Sequence, residues 1–341
     1  MDIRNRKGLR KEAAAAVASN PGDPRYTLLV YVAVTALSGL LVSVLGTMLD
    51  QKIAGTGGLE MLTQQATLTT IRTAAPMLLS LALLGLDLGR RAVSLKMARR
   101  QSVEPRDLLL GYSHFGAMLR AMFLQGVVYV LIMLAAVNIG SVIFMLTPLS
   151  RDLLNILVDL SMSSEELYNA LYNDPAFLEQ VFHAMLPAYP IALVIFALAA
   201  SPIFYRLRMT NYCLLEGSRK GALMAMGESL RMTKGKGVAL FKLDLSYWWF
   251  YLGQMVCAAV MYGDQILPKL GVTLPWSDLA SYYIFYVAAL ALEAVLYWFT
   301  LNSVQTTYAM AYEALRPQPQ PTQGGVVLGN IFDLAREHKE K

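Results

Sequence analysis

The feature that most constrains this chain is a series of apolar runs long enough to cross a bilayer. The first, Tyr26 to Leu49, holds 24 residues and no charge. A spanning helix needs about 20 apolar residues, and the apolar core of a secretory leader is shorter. This run is therefore expected to span rather than to be cleaved away. Further runs place spans over 73–95, 117–146, 189–207, 238–262 and 279–302. Composition agrees: hydrophobic residues make up 56% of the chain and charged residues 16%, against roughly a quarter charged in soluble domains. The expected fold is all-α, a polytopic transmembrane bundle of six spans in three hairpins. It forms one membrane domain, 1–316, and a polar tail, 317–341, follows it.

The stretch Gly217 to Gly253 shows how such a run begins. A basic amphipathic segment, Arg219 to Met232, leads into the hinge Lys234-Gly235-Lys236-Gly237, and an apolar helix starts near Val238. A basic surface segment that turns into a span marks a cytoplasmic boundary. The N-terminus has the same order of parts: Arg4, Arg6, Lys7, Arg10 and Lys11 precede the breaker Asn20-Pro21-Gly22-Asp23-Pro24. Lys96 to Arg106 repeats it, with a short amphipathic piece, Pro105 to Phe115, before the third span. Placing the N-terminus, 87–120, 206–242 and the tail on one side collects 25 of the 29 Lys and Arg residues there. Only Lys52, Arg72, Arg151 and Lys269 fall on the other side, so both termini are expected in the cytoplasm. The stretch 149–187 carries six acids and one base. Ser163 with Glu166 forms a capping box, and Asp174-Pro175 starts a second helix. It is expected to be an extracytoplasmic helical insertion. The fourth helix can continue to Leu215 and the sixth to Leu315. Gly85 and Gly89 have the spacing that lets helices approach closely.

Two sets of residues carry a resemblance. The run Glu228-Ser229-Leu230-Arg231-Met232-Thr233-Lys234-Gly235-Lys236, followed by Phe241-Lys242-Leu243-Asp244-Leu245-Ser246-Tyr247, is similar to the signature of domain-of-unknown-function family 975, polytopic membrane proteins of bacteria. The basic helix with spaced alanines and then Asn, Leu9 to Asn20, resembles that family's N-terminal pattern. The resemblance covers most of the chain, and the segment 149–187 departs from it. It implies a multi-pass fold in the cytoplasmic membrane of a bacterium and brings no chemistry with it. Within the chain, Gly8-Leu9-Arg10-Lys11-Glu12-Ala13 and Gly217-Ser218-Arg219-Lys220-Gly221-Ala222 share Gly, Arg, Lys and Ala in register, and Ala16 matches Ala225. A triplicated unit and the ordinary likeness of juxtamembrane helices both account for this.

Catalytic motifs are missing. The sequence has no H-E-x-x-H, no G-x-S-x-G and no Walker A loop. His114 and His338 fall on one side of the expected topology and His183 on the other, which excludes a single histidine metal site. Cys213 and Cys257 read as small apolar residues. No cofactor, metal or nucleic-acid partner is expected, because the positive charge sits beside the spans. Arg219, Lys220, Arg231, Lys234 and Lys236 are candidate contacts to anionic lipid headgroups, alongside the plainer reading of a flexible basic hinge. Asp244, placed at the start of the fifth span, is a candidate structural cap favoured by the helix dipole. Asp87 with Arg90 and Arg91 is expected to form a local ion pair. Trp248, Trp249 and Tyr251 read as packing or interfacial anchors.

Glu293 is the one acid expected near the bilayer midplane. Such a group must face the bundle and find a partner. Helical spacing puts Tyr286, Tyr297 and Thr300 on its stripe, and Gln254 or Asn138 on a neighbouring span can complete a polar site. It serves either as a packing lock or as a proton or cation site. The functional expectation is a non-enzymatic protein that organises the membrane or binds lipid or protein partners. A small-solute or ion permease is the alternative, and an intramembrane enzyme lacks the convergent groups it needs.

Overall fold

The computed structural model describes residues 3, 5–55, 61–159, 173–216, 221–272, 275 and 277–316. Every regular element among them is helical. In chain order these are α1 (Arg6–Ala18), α2 (Pro24–Gly55), α3 (Met61–Ala98), a 3-10 helix (Pro105–His114) and α4 (Phe115–Met145). A short 3-10 turn, Pro148–Ser150, leads into α5 (Arg151–Asp159) and α6 (Pro175–Met185). Then come α7 (Ala188–Leu207), α8 (Thr210–Leu215), α9 (Ala222–Met232), α10 (Gly237–Leu245), α11 (Trp248–Met261), α12 (Gly263–Lys269) and α13 (Asp278–Leu315).

Local sequence accounts for the ends. Asp23 accepts from the Tyr26 amide at 3.0 Å as α2 begins, and Asp174 accepts from Ala176 and Phe177 at the start of α6, where Pro175 takes the first helical position. Pro175 starts a helix as expected. The Ser163–Glu166 capping box lies outside the described residues, as do Arg219, Lys220 and the tail 317–341.

Five helical segments are long and apolar enough to cross a membrane: Pro24–Leu49, Ala66–Ala98, Pro105–Met145, Ala188–Leu215 and Leu279–Leu315. These suit a multi-pass integral membrane protein. The expected fifth span, 238–262, is not one helix. It divides into α10 and α11, and α11 has 14 residues, about 21 Å, short of a full crossing by itself. The division falls at Ser246 and Tyr247, after the polar residues Lys242 and Asp244. The helix α1 lies against this joint. Arg6 donates to the Lys242 carbonyl at 3.1 Å and Arg10 to the Ser246 carbonyl at 3.2 Å, with the Arg10 guanidinium 4.8 Å over the Tyr247 ring. Carbonyls at a helix C-terminus favour such cationic donors.

The core sits at one end of the bundle. Leu9, Ala13 and Ala16 of α1 meet Tyr212, Cys213 and Leu214 of α8, Leu240 and Leu243 of α10, and Tyr308 to Tyr312 of α13. Ala222 and Ala225 of α9 are buried in the same cluster, so the alanines matched between α1 and α9 both face inward. Away from this end the long helices expose large apolar side chains, such as Phe123 at 71% and Leu198 at 72%. Lipid is the solvent that makes those faces tolerable. The pair α4 and α7 pack along each other and meet the rest mainly through α8, α9, α10 and the 3-10 helix. A cleft therefore separates them from α11 and α13.

Candidate functional site

The polar interior begins with the expected acid. Glu293 lies on α13, half-buried, between two cavities of about 400 and about 160 Å³. Tyr297, one turn further along, lines both cavities with Glu293, and its hydroxyl accepts from Gln254 Nε2 of α11 at 2.8 Å. Tyr286 lines the larger of the two cavities and stacks on Tyr282 with ring centroids 5.9 Å apart. The stripe predicted from helical spacing thus comes together, with Gln254 as the partner from a neighbouring helix. Asn138 does not join it. It is exposed on α4, and its amide donates to its own helix at the Leu134 carbonyl. Thr300 also bonds back, to the Leu296 carbonyl.

A third cavity, of about 370 Å³, shares Tyr297 and Gln254 with the larger of these two. Its charged lining is Arg90 and Arg91 of α3 and Arg208, which follows α7. Gln125, Tyr129, Asn211 and Gln305 add polar groups. No acidic side chain lines it among the described residues. The carboxylates stand behind the arginines. Asp87 pairs with Arg90, and with Arg91 at 3.1 Å. Asp244 pairs with Arg208.

Asp244 therefore has a role other than the expected cap. It lies in the last turn of α10, where the helix dipole disfavours a carboxylate, and it caps no helix N-terminus. Its partners come from other helices: Tyr205 donates at 3.0 Å, Tyr308 donates at 2.6 Å, and Arg208 forms the ion pair. The Arg208 guanidinium also stacks 4.1 Å from the Tyr308 ring centroid, and Tyr251 bonds the Tyr308 hydroxyl at 2.8 Å. The anticipated anchor Tyr251 belongs to this polar network. Trp248 stays exposed, and Trp249 packs against Phe250 with centroids 6.4 Å apart. The expected Asp87–Arg90–Arg91 pair is present, but it faces the interior of the bundle. Sequence spacing does not reveal that Arg208 joins it, because the two sites are over a hundred residues apart.

An ion network closes the same end of the bundle. Glu216, after α8, takes Arg99, accepts from Tyr312 at 2.6 Å and pairs with Arg316 at 3.0 Å. Arg99 also reaches Glu313 at 2.6 Å. Burial works against the Arg99 charge, but its bonds to these two carboxylates outweigh that and raise its pKa above the ordinary arginine value. No sequence pattern marked this clamp.

The basic hinge is a tight turn rather than a loose one. Ser229 and Thr233 both donate to the Arg206 carbonyl, at 2.7 and 3.0 Å, and Gly235 takes a positive φ of 72° that suits glycine. Arg231 and Lys234 point outward from it, and Lys236 is half-exposed. Among the described residues, no three His, Cys, Asp or Glu side chains gather as a metal site would require. Chemically, the interior offers guanidinium groups, amides and phenols, which bind and orient anions. The chain matches no protein-family model, no curated protein and no solved structure.

Proposed function

We propose that this chain is a non-enzymatic multi-pass membrane protein that organises the membrane by binding lipid, and with it partner membrane proteins. The observation that carries the reading is the layer of basic helices packed at one end. Lys7 and Lys11 of α1, and Arg231 and Lys234 around α9, project outward from helices whose other faces are buried in the core. Cations in such a layer sit at the depth of lipid phosphates, each worth about 1 kcal/mol against an anionic leaflet. In this reading α10 and α11 together make the fifth of six crossings, both termini are cytoplasmic, and the membrane is the cytoplasmic membrane of a bacterium. Membership in domain-of-unknown-function family 975 is proposed with it, on the run Glu228 to Lys236 and the spaced alanines of α1.

Two measurements test this. Changing Arg219, Lys220, Arg231, Lys234 and Lys236 together to Gln should speed proteolysis of that segment in inverted vesicles, and unchanged digestion counts against lipid anchoring. In a variant free of Cys213 and Cys257, a cysteine at position 234 should escape an impermeant reagent in intact cells. Labelling there defeats the orientation.

A permease is the second reading, favoured by the cavities on both sides of Glu293, which share Tyr297 as a wall with the arginine cavity. Liposome flux separates the two. Solute or ion flux that Glu293→Gln abolishes without unfolding the protein would establish the permease and displace the first reading.

A further inference from the structure

We infer that the arginine cavity is a binding site for the phosphate-bearing head of an anionic lipid, which enters sideways through the cleft between α7 and α11. The inference deepens the lipid-binding reading above and rests on it, but it concerns the interior of the bundle rather than the basic outer layer. Three observations carry it.

The first is charge. Arg90, Arg91 and Arg208 line the cavity and no carboxylate does. Two acids, Asp87 and Asp244, pair with the three guanidinium groups, and the nearby interior acid, Glu293, forms no salt bridge with them among the described residues. Charges inside a membrane protein are costly unless paired, so three guanidinium groups that share two carboxylates can take a further anion. The second is an unmet donor. Arg90 Nε is buried and has no hydrogen-bond partner among the described residues. Buried guanidinium donors are seldom left unpaired, and phosphate oxygens suit their forked geometry. The third is shape. The cavity, about 370 Å³, holds a headgroup and not a whole lipid. Its lining includes Phe204 and Tyr251, both exposed, one on each side of the cleft. Beyond Phe204 the same arm presents Leu198 at 72% exposure and Leu193 at 65%, a surface for acyl chains. A charged pocket that opens onto an apolar wall matches an amphiphile with an anionic head better than a free ion.

Full-length protein in a neutral detergent is titrated with dihexanoyl phosphatidylglycerol, dihexanoyl phosphatidylcholine or inorganic phosphate, and native mass spectrometry counts the adducts. The expected result is one saturable phosphatidylglycerol per chain, with phosphatidylcholine, which has the same phosphate but a choline cation that the arginines repel, weaker by about tenfold or more. Arg91→Gln should weaken phosphatidylglycerol by a similar factor. Gln125→Leu, which leaves every ion pair in place, serves as the second variant where Arg91→Gln does not fold, and it should also weaken binding. Equal binding of the two lipids overturns the inference, as does binding that survives both substitutions. Inorganic phosphate that binds as tightly as phosphatidylglycerol overturns the lipid assignment in favour of a free-anion site. The Gln variant of Arg231, Lys234 and Lys236 should retain the single phosphatidylglycerol, so failure of the outer layer and failure of the cavity are told apart.

Discussion

The basic end of the bundle and the α4–α7 arm are built on opposite rules. At the basic end, backbones touch. A Cβ on Gly89 would overlap the Leu108 carbonyl, and one on Gly111 would overlap the Gly85 carbonyl, so α3 and the 3-10 helix meet with no side chain between them. Cross-helix ion pairs tie the same region: Lys96 with Asp107 at 2.6 Å, Arg99 with Glu216, and Arg208 with Asp244. Along the arm, α4 and α7 approach closely where a Cβ on Gly140 would lie 3.0 Å from Ala192, but Gly126 has nothing within 4 Å of the place its Cβ would take, and Phe123 and Leu198 face outward. Close packing and polar pairs define the structure where the chain leaves the membrane. Within the apolar layer, lipid covers the outer faces, and the helices meet through small residues such as Gly140 and Ala192 rather than through ion pairs.

Substitutions that break this contrast should differ greatly in cost. The largest effect is expected for Asp244→Ala, which leaves Arg208 without its counter-charge and takes the acceptor from Tyr205 and Tyr308. Removing one partner of a buried pair costs about 3–5 kcal/mol. Thermal unfolding in detergent, followed by circular dichroism, should show it, and an unchanged midpoint contradicts a role for this pair in holding α7 to α10. Gly89→Ala comes next, at about 1–3 kcal/mol for overpacking against backbone. Gly126→Ala on the arm should be neutral or slightly stabilising, since alanine is the better helix former. Equal melting of these two variants would erase the distinction between the regions.

Glu216→Gln keeps the hydrogen bond with Tyr312 but weakens the pairs with Arg99 and Arg316. Because Arg99 and Arg316 are 32% and 45% exposed, solvent screens much of the pairing, and the expected loss is about 1 kcal/mol. Limited proteolysis after residue 316 would report fraying of the α13 end. A small loss is expected for Glu293→Gln, under about 0.5 kcal/mol, because Gln keeps the shape and a polar group beside Tyr297 and Gln254. Glu293→Leu takes that polar group from the cavity wall and should cost about 1 kcal/mol. A Leu variant as stable and as active as the parent argues against both roles given to Glu293.

Helix type and approximate bounds were legible in the sequence because they depend on local quantities. The apolar runs, the breaker at Pro21 to Pro24, the start at Asp174-Pro175 and the continuation to Leu315 all follow from run length, capping and turn chemistry, whereas the fourth helix breaks at Arg208 and Met209 before α8 runs on to Leu215. The Glu293 stripe was legible for the same reason, since i+4 spacing on one helix places Tyr297 whatever surrounds it. The joint between α10 and α11 was not. A hydropathy window carries Val238 through to Tyr262, but the chain divides at Ser246, where Arg6 and Arg10, from the far N-terminus, bind the carbonyls. Asp244 was misjudged on the same ground, since its partners are on α7 and α13 and at Arg208.

The sequence by itself determined that this is an all-helical chain with spans, which side chains are charged, and which residues share a helix face. Only the tertiary structure decided that Arg90, Arg91 and Arg208 line one cavity and that Gln254, not Asn138, meets Tyr297. The physical reason is that spanning helices have similar apolar surfaces all round. Hydropathy therefore sets how they cross the membrane and says little about which neighbours they choose. That choice rests on a few glycines and ion pairs whose members lie up to 214 residues apart.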